Sequence, residues 1–116
     1  MPGAYIDEKV EETSRFLVDH KNGNGNDYAF VEQTDKEIIY RDSRQCSLMH
    51  TGKKIENELY IVEFEEKAKE PDCLFAVNLY KIIESGPLWI YSSFFDETVD
   101  HARAEAAKFF RSIRDT

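Results

Sequence analysis

The sequence predicts an α+β fold, in which an antiparallel sheet of about five strands packs against an N-terminal and a C-terminal helix that share one face of the sheet. Three observations predict it. Apolar residues recur at helical spacing near both ends, they alternate with a period of two in between, and short turn-forming stretches join the alternating segments. The 116 residues can bury one hydrophobic core without disulfides, so we expect a single two-layer domain over residues 1–116.

The first helix is predicted over residues 5–21, because apolar residues recur there at helical spacing from Ile6 to Leu17. Asn22 and Gly23 supply the helix stop. Acidic residues fill the first turn and the outer face: Asp7, Glu8, Glu11 and Glu12. This acidic surface could dock a basic protein, and a solvated helix face explains the same residues.

Strands are predicted where apolar and polar residues alternate with a period of two. Tyr28 to Arg41 is interpreted as a hairpin, Glu58 to Glu66 as an alternating strand, and Cys73 to Phe95 as a second hairpin that turns at residues 85–87. Residues 42–54 show no clear period; Cys46 to Thr51 could form a short strand, but we expect a loop or an irregular edge there.

Two glutamates, Glu63 and Glu65, lie two residues apart in the strand predicted over residues 58–66. Such a pair could serve acid/base chemistry, but we expect the two carboxylates to mark the point where the strand leaves the core.

The C-terminal helix is predicted over residues 96–115, where an apolar stripe runs from Val99 to Ile113 behind a cap at Asp96 or Thr98. Helix, antiparallel sheet and helix, with an acidic first helix, resembles the element order of the frataxin fold. The resemblance is one of layout, without a shared motif, and it assigns no residue a role.

Charge and composition restrict the class of partner. The formal net charge is -8, so the phosphate backbone of nucleic acid would be repelled, and we expect no nucleic-acid partner. The longest apolar run, residues 73–83, falls short of the roughly 20 residues a membrane helix needs. With two cysteines and acidic residues where a signal peptide would be apolar, we expect a cytoplasmic protein that does not bind membranes.

Catalytic and metal chemistry find little support in the sequence. Cys46 and His50 stand four residues apart with Asp42 nearby, but no nucleophile signature surrounds the cysteine. Cys73 could join them only as part of a zinc set that lacks a Cys-x-x-Cys pair, or in a disulfide with Cys46 under oxidising conditions. We therefore expect no catalytic set, no metal and no cofactor, and an enzyme is disfavoured.

The two strands of the second hairpin carry apolar residues on both faces, which indicates that both faces of the sheet need cover. The sequence therefore predicts a non-catalytic protein-interaction module, such as an inhibitor, adaptor, immunity-type or chaperone-type factor, that binds another protein or its own copy as a homodimer. Alternatively, the sheet curls over its own aromatics, or the 42–54 segment covers them. The candidate binding residues are Trp89, Tyr91, Phe95, Phe75, Tyr80 and Tyr60.

A second hypothesis is a small-molecule-binding or small catalytic domain that uses the sheet face as a pocket. Aromatic residues of the same set would form its walls. Its polar site would come from the mildly basic 36–54 region: Arg41, Arg44 and His50.

Overall fold

A computed structural model of the chain describes residues 5–68 and 74–95, together with residues 101, 104 and 108. One helix precedes six strands, and every neighbouring pair of strands is antiparallel in the order β1-β2-β3-β4-β5-β6. The predicted α+β class with an antiparallel sheet is confirmed, with six strands where about five were expected. The elements are α1 (Glu8–Gly23), β1 (Ala29–Gln33), β2 (Ile38–Arg41), β3 (Ser47–Ile55), β4 (Glu58–Ala68), β5 (Leu74–Ile83) and β6 (Gly86–Phe95).

The additional strand is β3, and it corrects the expectation of a loop over residues 42–54. It lies in the middle of the sheet, between β2 and β4. Its inward positions are buried in strict alternation, but they are Leu48, His50 and Gly52, of which only the leucine is a large apolar residue. Burial therefore alternates along β3, but apolar and polar residue types do not alternate in its sequence.

Helix α1 follows its predicted pattern. The Asp7 side chain caps it by accepting a 2.8 Å hydrogen bond from the backbone N–H of Val10. The inner face buries Val10, Leu17 and Val18 against the sheet, whereas Phe16 is 57% exposed. The predicted C-terminal helix lies outside the described residues except at positions 101, 104 and 108, each of which is helical and exposed.

The face of the sheet opposite α1 is also buried at β4 and β5. Ile61 and Glu63 point toward α1. Because side chains alternate along a strand, the residues next to them in sequence point to the opposite face. The exposed fractions on the opposite face are 7% or less for Val62, Phe64, Phe75, Val77 and Leu79. Core residues thus occupy both faces of the sheet at β4 and β5.

Gly52 allows the chain before α1 to lie directly on β3. Tyr5 and Gly52 exchange two backbone hydrogen bonds, and a Cβ atom on Gly52 would lie 2.6 Å from Val10 Cγ2 and 2.7 Å from the Tyr5 carbonyl oxygen. We expect Gly52→Ala to lower the free energy of unfolding by about 1–3 kcal/mol, because both neighbours must move. Urea unfolding of this variant beside Gly23→Ala, whose new Cβ meets nothing within 4 Å, checks the expectation. Equal stability of the two variants would contradict it.

Candidate functional site

Polar side chains from α1 and four strands meet under the helix, in a place where an apolar core would be the default. Helix α1 contributes Ser14 and Lys21 through the same inner face that carries Val10 and Leu17. The strands contribute residues at inward positions of the alternating pattern. We call this group the buried network: Ser14, Lys21, Tyr40, His50, Glu63, Glu65, Asn78 and Tyr80.

The centre of the buried network is a row of three hydrogen-bonded residues, each 0% exposed. Ser14 Oγ lies 2.6 Å from His50 Nδ1, and His50 Nε2 lies 2.7 Å from Glu63 Oε2. The Tyr40 hydroxyl lies 2.8 Å from the same Ser14 oxygen. Both imidazole nitrogens are therefore engaged, so the His50 ring joins α1 to β3 and β4, and the Tyr40 hydroxyl joins Ser14 to β2.

The second carboxylate oxygen of Glu63 has its own partners. Asn78 Nδ2 donates to Glu63 Oε1 over 2.8 Å, and Lys21 Nζ lies 3.5 Å from that oxygen. The same ammonium lies 3.1 Å from Glu65 Oε1, and the Tyr28 hydroxyl donates to Glu65 Oε2 over 3.2 Å. Glu63 and Glu65, expected to leave the core, are instead 0% and 5% exposed.

These contacts set the protonation of the site. Burial alone would raise the pKa of Glu63, but the hydrogen bond and charge of His50, the charge of Lys21 and the Asn78 amide together lower that pKa to about 2. Burial opposes the charge of Lys21, yet Glu63 and Glu65 raise its pKa above the ordinary value. Burial, followed by the charge of Glu63, raises the pKa of Tyr80, so its hydroxyl stays a hydrogen-bond donor. Both buried carboxylates thus have a cationic partner in Lys21 and further hydrogen-bond donors.

Serine, histidine and carboxylate stand in the hydrogen-bond order of a catalytic triad. Here, however, the serine lies in the middle of a helix, is 0% exposed and already contacts the Tyr40 hydroxyl. A substrate carbonyl has no approach to Ser14 Oγ in this geometry. The arrangement fits the role of fixing α1 on the sheet in one register.

The hydrogen bonds continue from the buried network to the surface. Ser92 Oγ donates to Asn78 Oδ1 over 2.6 Å, and Trp89 Nε1 donates to Ser92 Oγ over 2.7 Å. An unbroken path therefore leads from Ser14 on α1 to Trp89 on β6, whose side chain is 59% exposed. The indole N–H is thus hydrogen-bonded to the end of a chain of polar contacts that begins at the helix.

Strand β6 forms an apolar edge of the sheet. It pairs with β5, and no other described strand pairs with it. Its ten residues, Gly86–Phe95, include no charged side chain. We call its exposed residues the β6 patch, with exposed fractions in parentheses: Leu88 (49%), Trp89 (59%), Ile90 (43%), Tyr91 (51%) and Phe94 (62%).

The opposite edge of the sheet, β1, is built differently. It has five residues, is interrupted by a bulge between Phe30 and Glu32, and carries the charge of Glu32. Short length, a bulge and a charge are the usual devices that keep an edge strand from pairing with another chain. Strand β6 has a bulge at Ile90 and Pro87 near its start, but it is twice as long and uncharged.

The predicted aromatic binding residues fall into two groups. Trp89 and Tyr91 are both exposed and belong to the β6 patch. Tyr60 and Tyr80 are half-buried, and Phe75 is only 1% exposed, so it is a core residue. The side chain of Phe95 lies outside the described part of the chain.

The three residues of the predicted polar site, Arg41, Arg44 and His50, do not lie together in the structure. His50 is buried under α1, Arg41 is exposed on β2, and Arg44 follows β2, where it pairs with Asp42 at 2.8 Å. Cys46 is buried, and Cys73 lies outside the described residues. The predicted acidic surface includes the helix cap Asp7, the exposed Glu8 and Glu12 and the half-buried Glu11.

The sequence pattern did not predict four members of this polar site: Ser14, Lys21, Asn78 and Ser92. A usable signal was present in β4, where Glu63 and Glu65 occupy the same alternating positions as Leu59 and Ile61. Carboxylates that continue an inward-facing apolar series indicate buried charges, and buried charges require partners.

Within residues 5–68, 74–95 and the three described positions beyond them, no group of three or more His, Cys, Asp or Glu residues could hold a metal ion. No helix in that part of the chain is long and apolar enough to cross a membrane. Comparison with protein-family models, with curated proteins and with solved structures gives no match for this chain.

Proposed function

We propose that this protein is a non-catalytic interaction module that binds another polypeptide chain through the exposed edge strand β6. The observation that carries the proposal is an edge strand of ten residues without a charge, with five large apolar side chains at least 43% exposed. An edge of this kind invites pairing with a further strand, because within the described part of the chain only β5 pairs with β6.

Binding by strand addition explains why both faces of β6 are apolar. A strand added to an edge receives main-chain hydrogen bonds, and its side chains pack above and below the sheet. Trp89 lies on the α1 face, where it pairs with Tyr80, and Tyr91 lies on the opposite face, where it pairs with Leu79. The β6 patch therefore offers contacts to both rows of side chains of an added strand.

The anchoring of Trp89 supports the same function. Its indole N–H bonds to Ser92, which is bonded to Asn78 and so to the buried network. A large aromatic side chain that is already ordered loses little conformational entropy on binding. Aromatic anchors of this type dominate the energy of many protein interfaces.

A small-molecule pocket has less support. Arg41 on β2 is four strands away from β6, about 19 Å along the sheet at roughly 4.8 Å per strand. The aromatic side chains of β6 and the basic side chains of β2 thus belong to different surfaces. The predicted combination of aromatic walls with Arg41, Arg44 and His50 does not form one cavity.

Site-specific photo-crosslinking in cells that naturally produce the protein tests the proposal. A benzophenone amino acid is placed at Tyr91, and the matched control places it at Val31 on β1, which is 42% exposed against 51% for Tyr91. We expect a light-dependent covalent protein adduct from position 91 and none from position 31. No adduct at 91, or equal adducts at both positions, would contradict the proposal.

A further inference from the structure

We propose that the chain that occupies the β6 edge is a second copy of this protein, with the two β6 strands antiparallel across a two-fold axis. The inference rests on the proposed function, because it requires β6 to be an interaction surface. It adds the identity of the partner and its orientation.

Charge favours a second copy over a basic protein at this surface. The acids that a basic protein would need are elsewhere, for example Glu8 and Glu12 on α1, and β6 provides none. Two copies that each carry a net charge of -8 repel one another. Contact through β6 places no like charges directly opposite one another along the ten residues of the strand.

The β6 patch is complementary to itself. On the α1 face, Trp89 lies in the first half of the strand and Phe94 near its end, and antiparallel pairing brings the Trp89 of one copy toward the Phe94 of the other. On the opposite face, Tyr91 lies close to the two-fold axis and approaches the Tyr91 of the other copy, whereas Leu88 lies near the end of the other copy's β6. A two-fold interface needs one patch that serves both partners, and β6 meets that requirement.

The surface area that pairing of the two β6 strands can bury sets the expected affinity of the dimer. The side chains of the β6 patch are 43–62% exposed, and aromatic side chains bury about 150–250 Å² each, so pairing removes on the order of 500 Å² per copy from water. The total of roughly 1,000 Å² lies at the lower limit for a specific interface. We therefore expect a dissociation constant in the micromolar range, and a dimer that gains strength as added salt screens the like charges.

Trp89 is the only tryptophan, so its fluorescence reports directly on the β6 edge. Over a dilution series, sedimentation equilibrium is expected to show a change from twice 13.6 kDa to 13.6 kDa, with a red shift of the Trp89 emission over the same concentrations. A mass of 13.6 kDa at every concentration overturns the inference. A doubled mass without any change in Trp89 emission also overturns it, because the contact would then lie elsewhere.

Two lysine variants form the matched pair for this test. Tyr91→Lys places two positive charges at the centre of the paired strands and is expected to weaken the dimer about tenfold or more. Val31→Lys adds the same charge on the opposite edge of the sheet and should leave the dissociation constant within about twofold of wild type. Equal effects of the two substitutions would argue against the β6 interface. Thermal unfolding of both variants is the control that checks whether each is folded.

The crosslink at position 91 separates failure of this inference from failure of the proposed function. An adduct of two copies supports both. An adduct with a different protein, from a chain that sediments as a monomer, overturns the second copy and leaves the proposed function standing. A monomer without any adduct overturns both.

Discussion

Glu63→Gln is expected to lower the free energy of unfolding by about 3–5 kcal/mol, the typical cost of removing one partner from a buried ion pair. The glutamine keeps the size of the side chain and can still accept a hydrogen bond from Asn78, so the change removes charge and little else. Lys21 loses one of its two buried carboxylates, and His50 Nε2 faces a neutral amide. A domain of this size has a total stability of about 5–15 kcal/mol, so the loss would be a large share of it.

Urea unfolding at neutral pH measures the effect, and Glu58→Gln is the matched control. Glu58 begins the same strand, but its side chain is 55% exposed and its contact with Lys81 is 3.7 Å long. The control should therefore change stability by less than about 0.5 kcal/mol. If the two variants were equally stable, the buried network would not be what holds α1 on the sheet.

A double-mutant cycle with His50→Gln isolates the contact itself. Residues in one hydrogen-bonded network show interaction energies of about 0.5–3 kcal/mol, whereas independent sites add. Additive losses for the Glu63 and His50 variants would show that the 2.7 Å contact carries no energy of its own.

The sequence predicted the elements whose apolar pattern is local. The stripe of α1, the alternation of β4 and the β5–β6 hairpin depend on near neighbours in the chain, and each formed close to its predicted bounds. Strand β3 was missed for a physical reason. Its inward positions include His50, which is satisfied by Ser14, and Gly52, which makes room for Val10. Neither residue signals burial until its distant partner is known.

The candidate site also has a part that the sequence could predict and a part that it could not. Trp89 and Tyr91 could be selected from the sequence, because a strand with aromatic residues on both sides is unusual wherever it lies. The contacts of the buried network could not be predicted from the sequence, because Ser14 and His50 are 36 residues apart and Glu63 and Asn78 are 15 apart. Which polar residues meet across a sheet depends on strand register, and a shift of one residue would move each side chain to the other face.

Acid should destabilise the wild-type protein over a defined range of pH. The pKa of Glu63 is about 2 in the native state against 4.5 for the ordinary group, because His50 of β3, Lys21 of α1 and Asn78 of β5 outweigh the effect of burial. A carboxyl whose pKa is lowered by folding contributes stability that is fully present above pH 4.5 and is lost as the pH falls toward 2. The loss amounts to about 3 kcal/mol, at roughly 1.4 kcal/mol per unit of pKa.

Glu63→Gln supplies the test, because this variant has no carboxyl to titrate at that position. Its stability should fall less steeply with acid than that of the wild type, so the difference between the two proteins narrows from pH 5 toward pH 2. Asp42 contributes to the decline in both proteins equally. Burial opposes its charge, yet hydrogen bonds from Arg44 and from the backbone N–H of Cys46 lower its pKa. Urea unfolding at several pH values measures both curves. A difference that stays constant with pH would mean that Glu63 does not change its protonation on unfolding, and that its role in the buried network is one of shape alone.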